Sequence, residues 1–148
     1  MQEKRENILV SACLLGERSR YDGKSKPCDK VIALGERYNL IPVCPEVQGG
    51  LSTPRTPSER VGDRVIMRDG RDVTENFLLG AVSCYERYIA EGCVACVLKA
   101  RSPSCGVGEI YDGSFSGKLR EGNGVFAEYL ISRGVRVITE QEVDTLLE

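Results

Sequence analysis

The chain has 148 residues and contains no histidine. Without histidine, the protein has no Ser-His-Asp triad, no Cys-His catalytic pair and no zinc site built on imidazole. Any proton transfer must therefore fall to Glu, Asp, Lys, Tyr, Ser or Cys side chains.

An excess of positive charge and a long apolar run are missing as well. The formal net charge of −2 argues against a nucleic-acid binder that works through a general basic field. No apolar run reaches the length of a membrane span, and the polar stretch Met1–Asn7 lacks the apolar core of a signal peptide. We therefore expect a cytoplasmic protein with no membrane or nucleic-acid partner, folded as one domain over residues 1–148.

Cysteine, by contrast, is abundant, because the chain contains seven. The cytosol is reducing and the count is odd, so a disulfide framework is a poor explanation. This cysteine content points to metal binding or to thiol chemistry.

Short apolar runs alternate with segments of helical spacing along the chain. The expected strands are 8–12, 40–43, 94–98 and 135–138, and the expected helices are 29–38, 74–91, 126–132 and 141–147. The strands read as continuous apolar runs, which is typical of a parallel sheet covered on both faces. The sequence therefore predicts an α/β, Rossmann-like fold with a mostly parallel sheet and helices on both faces.

Boundary residues and loops refine this prediction. Thr74 and Thr139 are expected to cap the helices that follow them, and Asp69-Gly70 predicts a small hairpin insertion within 61–73. The stretch 45–60 is rich in proline and glycine and is expected to contain no regular helix or strand. The glycine-rich stretch 101–123 is expected to be a loop with a hairpin around Asp112-Gly113.

Three cysteines, Cys13, Cys44 and Cys105, follow three of the predicted strands at or just past their carboxyl ends. Ligands of open parallel sheets bind at that edge, so we expect the three thiols to converge. Three thiolates can hold a soft metal or an iron–sulfur cluster. The alternative is that they are three unrelated buried cysteines.

The other four cysteines have ordinary structural explanations. Cys84 falls on the apolar stripe of a predicted helix and resembles a small buried hydrophobe. Cys93 and Cys96 flank a predicted strand and point to opposite faces, so they do not chelate together. Cys28, near the start of a helix, is expected to be a half-buried thiol.

Polar residues beside two of the strand-end cysteines add to the pattern. Glu46 lies two residues after Cys44, and Ser102 and Ser104 precede Cys105. A carboxylate and hydroxyls next to an open metal position can activate water and supply protons. Taken singly, each is also an ordinary capping or turn residue.

Several blocks together resemble a family of small bacterial proteins whose characterised members are thiouracil desulfurases, also called desulfidases. The blocks are Ser11–Gly16, Arg20–Gly23, Cys44–Val47 with Gly49-Gly50, Pro54-Arg55 and Arg101–Gly106. They occur in one order, and the resemblance covers about residues 8–138.

The resemblance implies a 4Fe–4S cluster held by Cys13, Cys44 and Cys105, with one iron open to the sulfur of a thiocarbonyl. Water would replace the sulfur on carbon, and the reaction needs no net redox change. The family's catalytic carboxylate matches Glu46. A serine of the Ser-Pro-Ser-Cys sequence assists, and we favour Ser102.

The partner implied by the resemblance is a small thiolated heterocycle. We expect Ser104, Arg55, Tyr21 and Asp22 to contribute to binding it, and cationic side chains such as Arg55 to stabilise an anionic cluster. We also expect the protein to be sensitive to oxygen.

Two other functions fit the same residues. The protein could be a non-catalytic carrier of the cluster or of sulfide, which would bind the cluster without turning over thiouracil. It could also be a thiol or persulfide transferase that uses Cys105 without metal, which would be colourless and inactivated by alkylation.

Overall fold

The structure is a computed structural model that describes residues 5–147. The stretch Met1–Asn7, on which the expectation of no signal peptide rests, lies partly outside the described residues. In chain order the elements are β1 (Glu6–Ser11), α1 (Asp29–Ala33), β2 (Tyr38–Val43), α2 (Pro45–Gln48), β3 (Ser58–Val61), β4 (Arg64–Met67), α3 (Thr74–Ala90), β5 (Ala95–Leu98), β6 (Glu109–Tyr111), β7 (Leu119–Glu121), α4 (Val125–Ser132) and β8 (Val137–Thr139). Three 3-10 segments cover Ala12–Leu15, Leu34–Glu36 and Glu140–Leu146.

Four parallel strands form the central sheet in the order β2-β1-β5-β8. The chain leaves β1 to build β2 on one side and later returns to build β5 on the other side. The strand order therefore reverses at β1, and the carboxyl ends of the strands open a crevice at this switch point. The predicted parallel α/β sheet is confirmed.

Both faces of the sheet are covered, as expected. Leu9 points into the core that contains Phe77 of α3 and Phe126 of α4, whereas Ile8 points into the core that contains Val31 of α1. Successive strand residues serve opposite faces, which explains why the strands are apolar without alternation.

The stretch 45–60 differs from its prediction, because it begins with α2 and ends in β3. Pro45 occupies the first turn of α2, where its fixed φ suits a helix start. Glycine then allows close packing on α3, since a Cβ on Gly80 would lie 1.8 Å from the Pro45 carbonyl oxygen. A Cβ on Gly49 would lie 2.0 Å from the carbonyl oxygen of Asn76. Proline and glycine here start and seat a short helix rather than prevent one.

The hairpin insertion is present, but its regular ladder lies earlier than predicted. β3 pairs with β4 through a turn at Gly62-Asp63. The Asp69-Gly70 segment also turns, with the Met67 N–H donating to the Arg71 carbonyl at 2.8 Å, and adds one isolated bridge. The hairpin expected around Asp112-Gly113 is formed by β6 and β7.

The two predicted caps have different outcomes. Thr139 caps the closing 3-10 segment, with its hydroxyl accepting from the Gln141 N–H at 3.2 Å. Thr74 does not cap α3, because Val73 holds the cap position and the Thr74 hydroxyl accepts from the Val65 N–H at 2.8 Å. Within residues 5–147, no helix is long and apolar enough to cross a membrane.

Candidate active site

A cavity of about 570 Å³ opens at the carboxyl ends of the central strands. Cys13 reaches it from the 3-10 turn directly after β1, and Cys44 reaches it from the cap position just before α2. Cys105 reaches it from the loop after β5. The parallel sheet thus brings together three thiols that are remote in sequence.

The three thiols are free and largely buried. Burial, together with the charge of the neighbouring Cys44, raises the pKa of Cys13 to about 11. Burial also raises the pKa of Cys44 and of Cys105. A set of thiolates in this position therefore requires a compensating cationic centre.

The donor set consists of cysteine thiols around one cavity. Among residues 5–147, no three Cys, Asp or Glu side chains converge closely enough to hold a single ion. The three thiols instead stand around one cavity, and cysteine thiolates are the usual ligands of iron–sulfur clusters.

Glu46 lies in the first turn of α2, and both of its carboxylate oxygens are engaged. Oε1 accepts from the Arg55 Nε at 3.1 Å, and Oε2 accepts from the Ser104 hydroxyl at 3.0 Å. The Arg55 side chain is only 4% exposed and also donates to the Ser19 carbonyl at 2.9 Å. This network fixes the direction in which the carboxylate faces the cavity.

Ser102 and Ser104 form a hydrogen-bonded pair with a defined direction. The Ser102 hydroxyl accepts from the N–H groups of Ser104 and Cys105, each at 3.1 Å, and lies 2.9 Å from the Ser104 hydroxyl. An ionised carboxylate only accepts, so Ser104 donates to Glu46 and Ser102 donates to Ser104. The protons therefore point from Ser102 through Ser104 to Glu46.

The start of α4 holds the serine loop in place. The N–H groups of Val125 and Phe126 donate to the carbonyls of Pro103 and Ser104, both at 2.9 Å. These N–H groups have no partner within the helix, and the loop satisfies them. A Cβ on Gly124 would lie 2.4 Å from the carbonyl carbon of Ser104, so the close contact requires glycine there.

Comparison with known proteins assigns the family. The family described as 2-thiouracil desulfurase matches residues 8–142. The chain belongs to the 2-thiouracil desulfurase family. The relationship predicted from the sequence blocks is thereby confirmed.

Two relatives of this desulfurase-family chain extend the comparison. A Bacillus subtilis (strain 168) protein described as uncharacterized protein YbbK is 39% identical over 150 residues, which cover 95% of this chain and 99% of the relative. A solved structure described as the 4Fe-4S-dependent thiouracil desulfidase TudS is 43% identical, covers 97% of this chain and 96% of that chain, and has a TM-score of 0.91.

The four predicted substrate-binding residues of this desulfurase-family chain differ in whether they are accessible from the cavity. Tyr21 lines the cavity and is 40% exposed. Asp22 does not line it, and its carboxylate pairs with Arg20 at 3.6 Å. The Arg55 guanidinium donates to Glu46 and to backbone carbonyls. Ser104 is 2% exposed, and its hydroxyl is engaged in the serine relay, the hydrogen-bonded series from Ser102 through Ser104 to Glu46.

Several cavity residues were not predicted from the sequence. The hydroxyl of Ser11, at the end of β1, accepts from the Lys99 N–H at 3.0 Å, and its place at a strand end was a usable signal. Arg68, Tyr111 and Phe115 reach the cavity from the two hairpins. No sequence pattern reports how those hairpins pack over the sheet edge.

Cys84, Cys93 and Cys96 do not line the cavity of this desulfurase-family chain. All three lie in the same core between the sheet and α3. The prediction that Cys93 and Cys96 point to opposite faces is therefore wrong, because Cys93 precedes β5 and does not follow the alternation of the strand. Cys28 is half-buried and packs beside the core on the α1 side.

Proposed function

We propose that this protein removes sulfur from a thiocarbonyl heterocycle such as thiouracil and replaces it with oxygen from water. One observation carries the proposal: three free thiols, a fixed carboxylate and a serine pair line the same cavity. The similarity to TudS, a protein described as a 4Fe-4S-dependent thiouracil desulfidase, covers 97% of this chain and supports the proposal.

The proposal assigns Cys13, Cys44 and Cys105 as ligands of a 4Fe–4S cluster. When bound, a cluster held by three cysteines supplies an open iron that acts as a Lewis acid and accepts the sulfur of the thiocarbonyl. The chain contributes buried thiols at three positions just past the carboxyl ends of sheet strands, and their thiolate forms favour a cationic centre between them.

Glu46 is proposed as the general base for water. A carboxylate has about four acceptor positions, so the bonds from Arg55 and Ser104 leave room for a water proton. The oxygen of water bonds to the ring carbon, the carbon–sulfur bond breaks, and the two water protons leave with the sulfur as hydrogen sulfide. No atom changes its oxidation state in this balance.

Ser102 and Ser104 are proposed to conduct a proton between the cavity and Glu46. The Ser102 hydroxyl donates towards Ser104, and Ser104 donates towards the carboxylate. When Glu46 takes the water proton, the direction reverses: Glu46 donates to Ser104, Ser104 donates to Ser102 in place of one of its two N–H bonds, and Ser102 delivers its own proton to the cavity. In this proposal Ser102 is the serine that faces the reacting atoms, and Ser104 links it to Glu46.

Arg55 is proposed to position Glu46 rather than to bind the substrate. Its guanidinium donates to Glu46, to the Ser52 and Ser19 carbonyls and to the Thr53 hydroxyl. These partners leave little donor capacity for a substrate, whereas they hold the carboxylate in one orientation.

Anaerobic reconstitution with iron and sulfide tests the proposal. The expected result is a brown protein with one 4Fe–4S cluster per chain that converts 2-thiouracil to uracil and sulfide, measured by chromatography and sulfide titration. Air exposure is expected to bleach the protein and stop turnover, in keeping with a role in the reducing cytoplasm.

The alternatives predict other results in the same experiment. A cluster or sulfide carrier reconstitutes fully but leaves thiouracil unchanged. A metal-free transferase turns over at the same rate in iron-free protein. Either result would contradict the proposal.

A further inference from the structure

Phe115 is a backbone outlier at the wall of the cavity. Its φ is +56°, in the left-handed region that side-chain-bearing residues rarely adopt. It lies in the turn between β6 and β7 and lines the cavity together with the three strand-end cysteines. It belongs to neither buried core cluster, so core packing does not explain the aromatic ring.

Two contacts from the other hairpin hold Phe115 in this conformation. The Glu59 Oε1 accepts from the N–H groups of Gly113 and Phe115, at 2.9 and 3.1 Å. The guanidinium carbon of Arg68 lies 5.4 Å from the centre of the Phe115 ring, within the range of a cation–π contact. Hairpin β3–β4 therefore fixes the ring at the cavity wall.

We propose that Phe115 is a positioning and specificity-determining residue whose ring stacks on the planar heterocycle of the substrate. The inference rests on the proposed function and names the group that orients the ring of the thiocarbonyl compound. Glycine would adopt this φ without strain, yet the chain places an aromatic side chain there. Backbone strain that neighbouring contacts enforce at a cavity is typical of a binding position, and aromatic rings bind planar bases by stacking.

The ring also complements the rest of the site. The serine relay and Glu46 supply polar contacts, whereas Phe115, Tyr111 and Tyr21 supply aromatic wall. A flat substrate ring that stacks on Phe115 can tilt less. Its thiocarbonyl group is therefore held in one orientation towards the reacting groups. Saturated, puckered analogues stack less well and are expected to be poorer substrates.

The test is Phe115→Gly in the reconstituted enzyme, with equilibrium binding of uracil measured by calorimetry beside steady-state kinetics on 2-thiouracil. We expect uracil affinity to fall about tenfold or more, which is the scale of one lost base–aromatic stack. KM is expected to rise by a similar factor, and kcat is expected to fall as well, because the thiocarbonyl is less well oriented. The melting temperature should be unchanged or higher, because the strain at φ +56° is relieved.

Three further variants separate stacking from loop integrity. Ser114→Gly loosens the same turn at a residue outside the cavity lining and should bind uracil normally. Glu59→Ala removes the acceptor that fixes the loop and should resemble Phe115→Gly, whereas Glu59→Gln keeps a carbonyl oxygen and should restore binding. Phe115→Gly should also narrow the preference for 2-thiouracil over its 5,6-dihydro form.

The outcomes distinguish this inference from the proposed function. If the wild type turns over thiouracil and Phe115→Gly keeps its uracil affinity, KM and ring preference, the stacking role is wrong and the function stands. If the wild type binds uracil through Phe115 without desulfurating thiouracil, the function is wrong and the stacking role stands. A wild type that binds neither ring contradicts both.

Discussion

Two sets of three cysteines occupy different regions of this protein. The cavity cysteines are Cys13, Cys44 and Cys105, and the core cysteines are Cys84, Cys93 and Cys96. Burial raises the pKa in both sets, to about 11 for Cys13 and to about 12 for Cys84. Neither burial nor pKa therefore identifies a ligand. The cavity cysteines differ because they share one opening with a carboxylate and hydroxyls.

Strand β5 shows the cause of the difference. Cys96 lies within the strand, paired in register with Leu9 and Val137 and completely buried. Cys105 lies in the loop beyond the strand's carboxyl end, where the switch point of the sheet opens. A cysteine within the strand is thus a core side chain, whereas a cysteine beyond the end of the strand is a candidate ligand.

The largest expected effect comes from matched alanine substitutions of one cysteine within β5 and one cysteine beyond its carboxyl end. Cys105→Ala should lose the cluster and all desulfurase activity, because two thiolates do not hold the centre in place of three. Cys96→Ala should keep both. Iron content and visible absorption after anaerobic reconstitution measure the difference. A wild-type iron content in the Cys105→Ala protein would contradict the distinction between cavity and core cysteines.

Glu46→Gln tests whether the cavity carries out chemistry beyond holding a cluster. The amide cannot accept the water proton, so kcat should fall about 10²–10⁴-fold while iron content stays normal. Glu128→Gln is a matched control, since Glu128 also lies in the first turn of a helix and pairs with a buried arginine, Arg60, at 2.7 Å, but outside the cavity lining. Equal losses in the two variants would show that the effect is structural.

Much of this site is predictable because the cavity cysteines and the acid lie at strand ends. Apolar runs locate the strands, and a parallel sheet brings their carboxyl ends to one edge. Two features escape such reasoning. The seating of α2 on α3 depends on Gly49 and Gly80 leaving room for backbone oxygens, and the position of Phe115 depends on a contact between two hairpins. Both are tertiary contacts without a periodic sequence signal.

Alkylation of the iron-free protein compares the access of reagents to the two sets. The pKa of Cys13 is about 11, so its thiolate fraction, and its rate of labelling by iodoacetamide, should rise about tenfold per pH unit between pH 8 and 10. The labelling rate of a thiol with an ordinary pKa would level off in this pH range. Burial also raises the pKa of Cys84, to about 12, but Cys84 does not line the cavity. It should therefore be labelled only when the core opens. Peptide mass spectrometry reads each site separately, and equally fast labelling of Cys84 would contradict the assignment.

The smallest expected effect comes from Cys84→Ala. Removing this buried sulfur from the α3 side of the core should lower the free energy of unfolding by about 1 kcal/mol, the usual scale of a point substitution. Urea denaturation measures that loss, and iron content and kcat should stay at wild-type values. Cys84 lies near enough to Cys44 for their charges to interact, which makes the variant a demanding control. A fall in iron content would mean that Cys84 supports the cluster. The division into cavity cysteines and core cysteines would then be wrong.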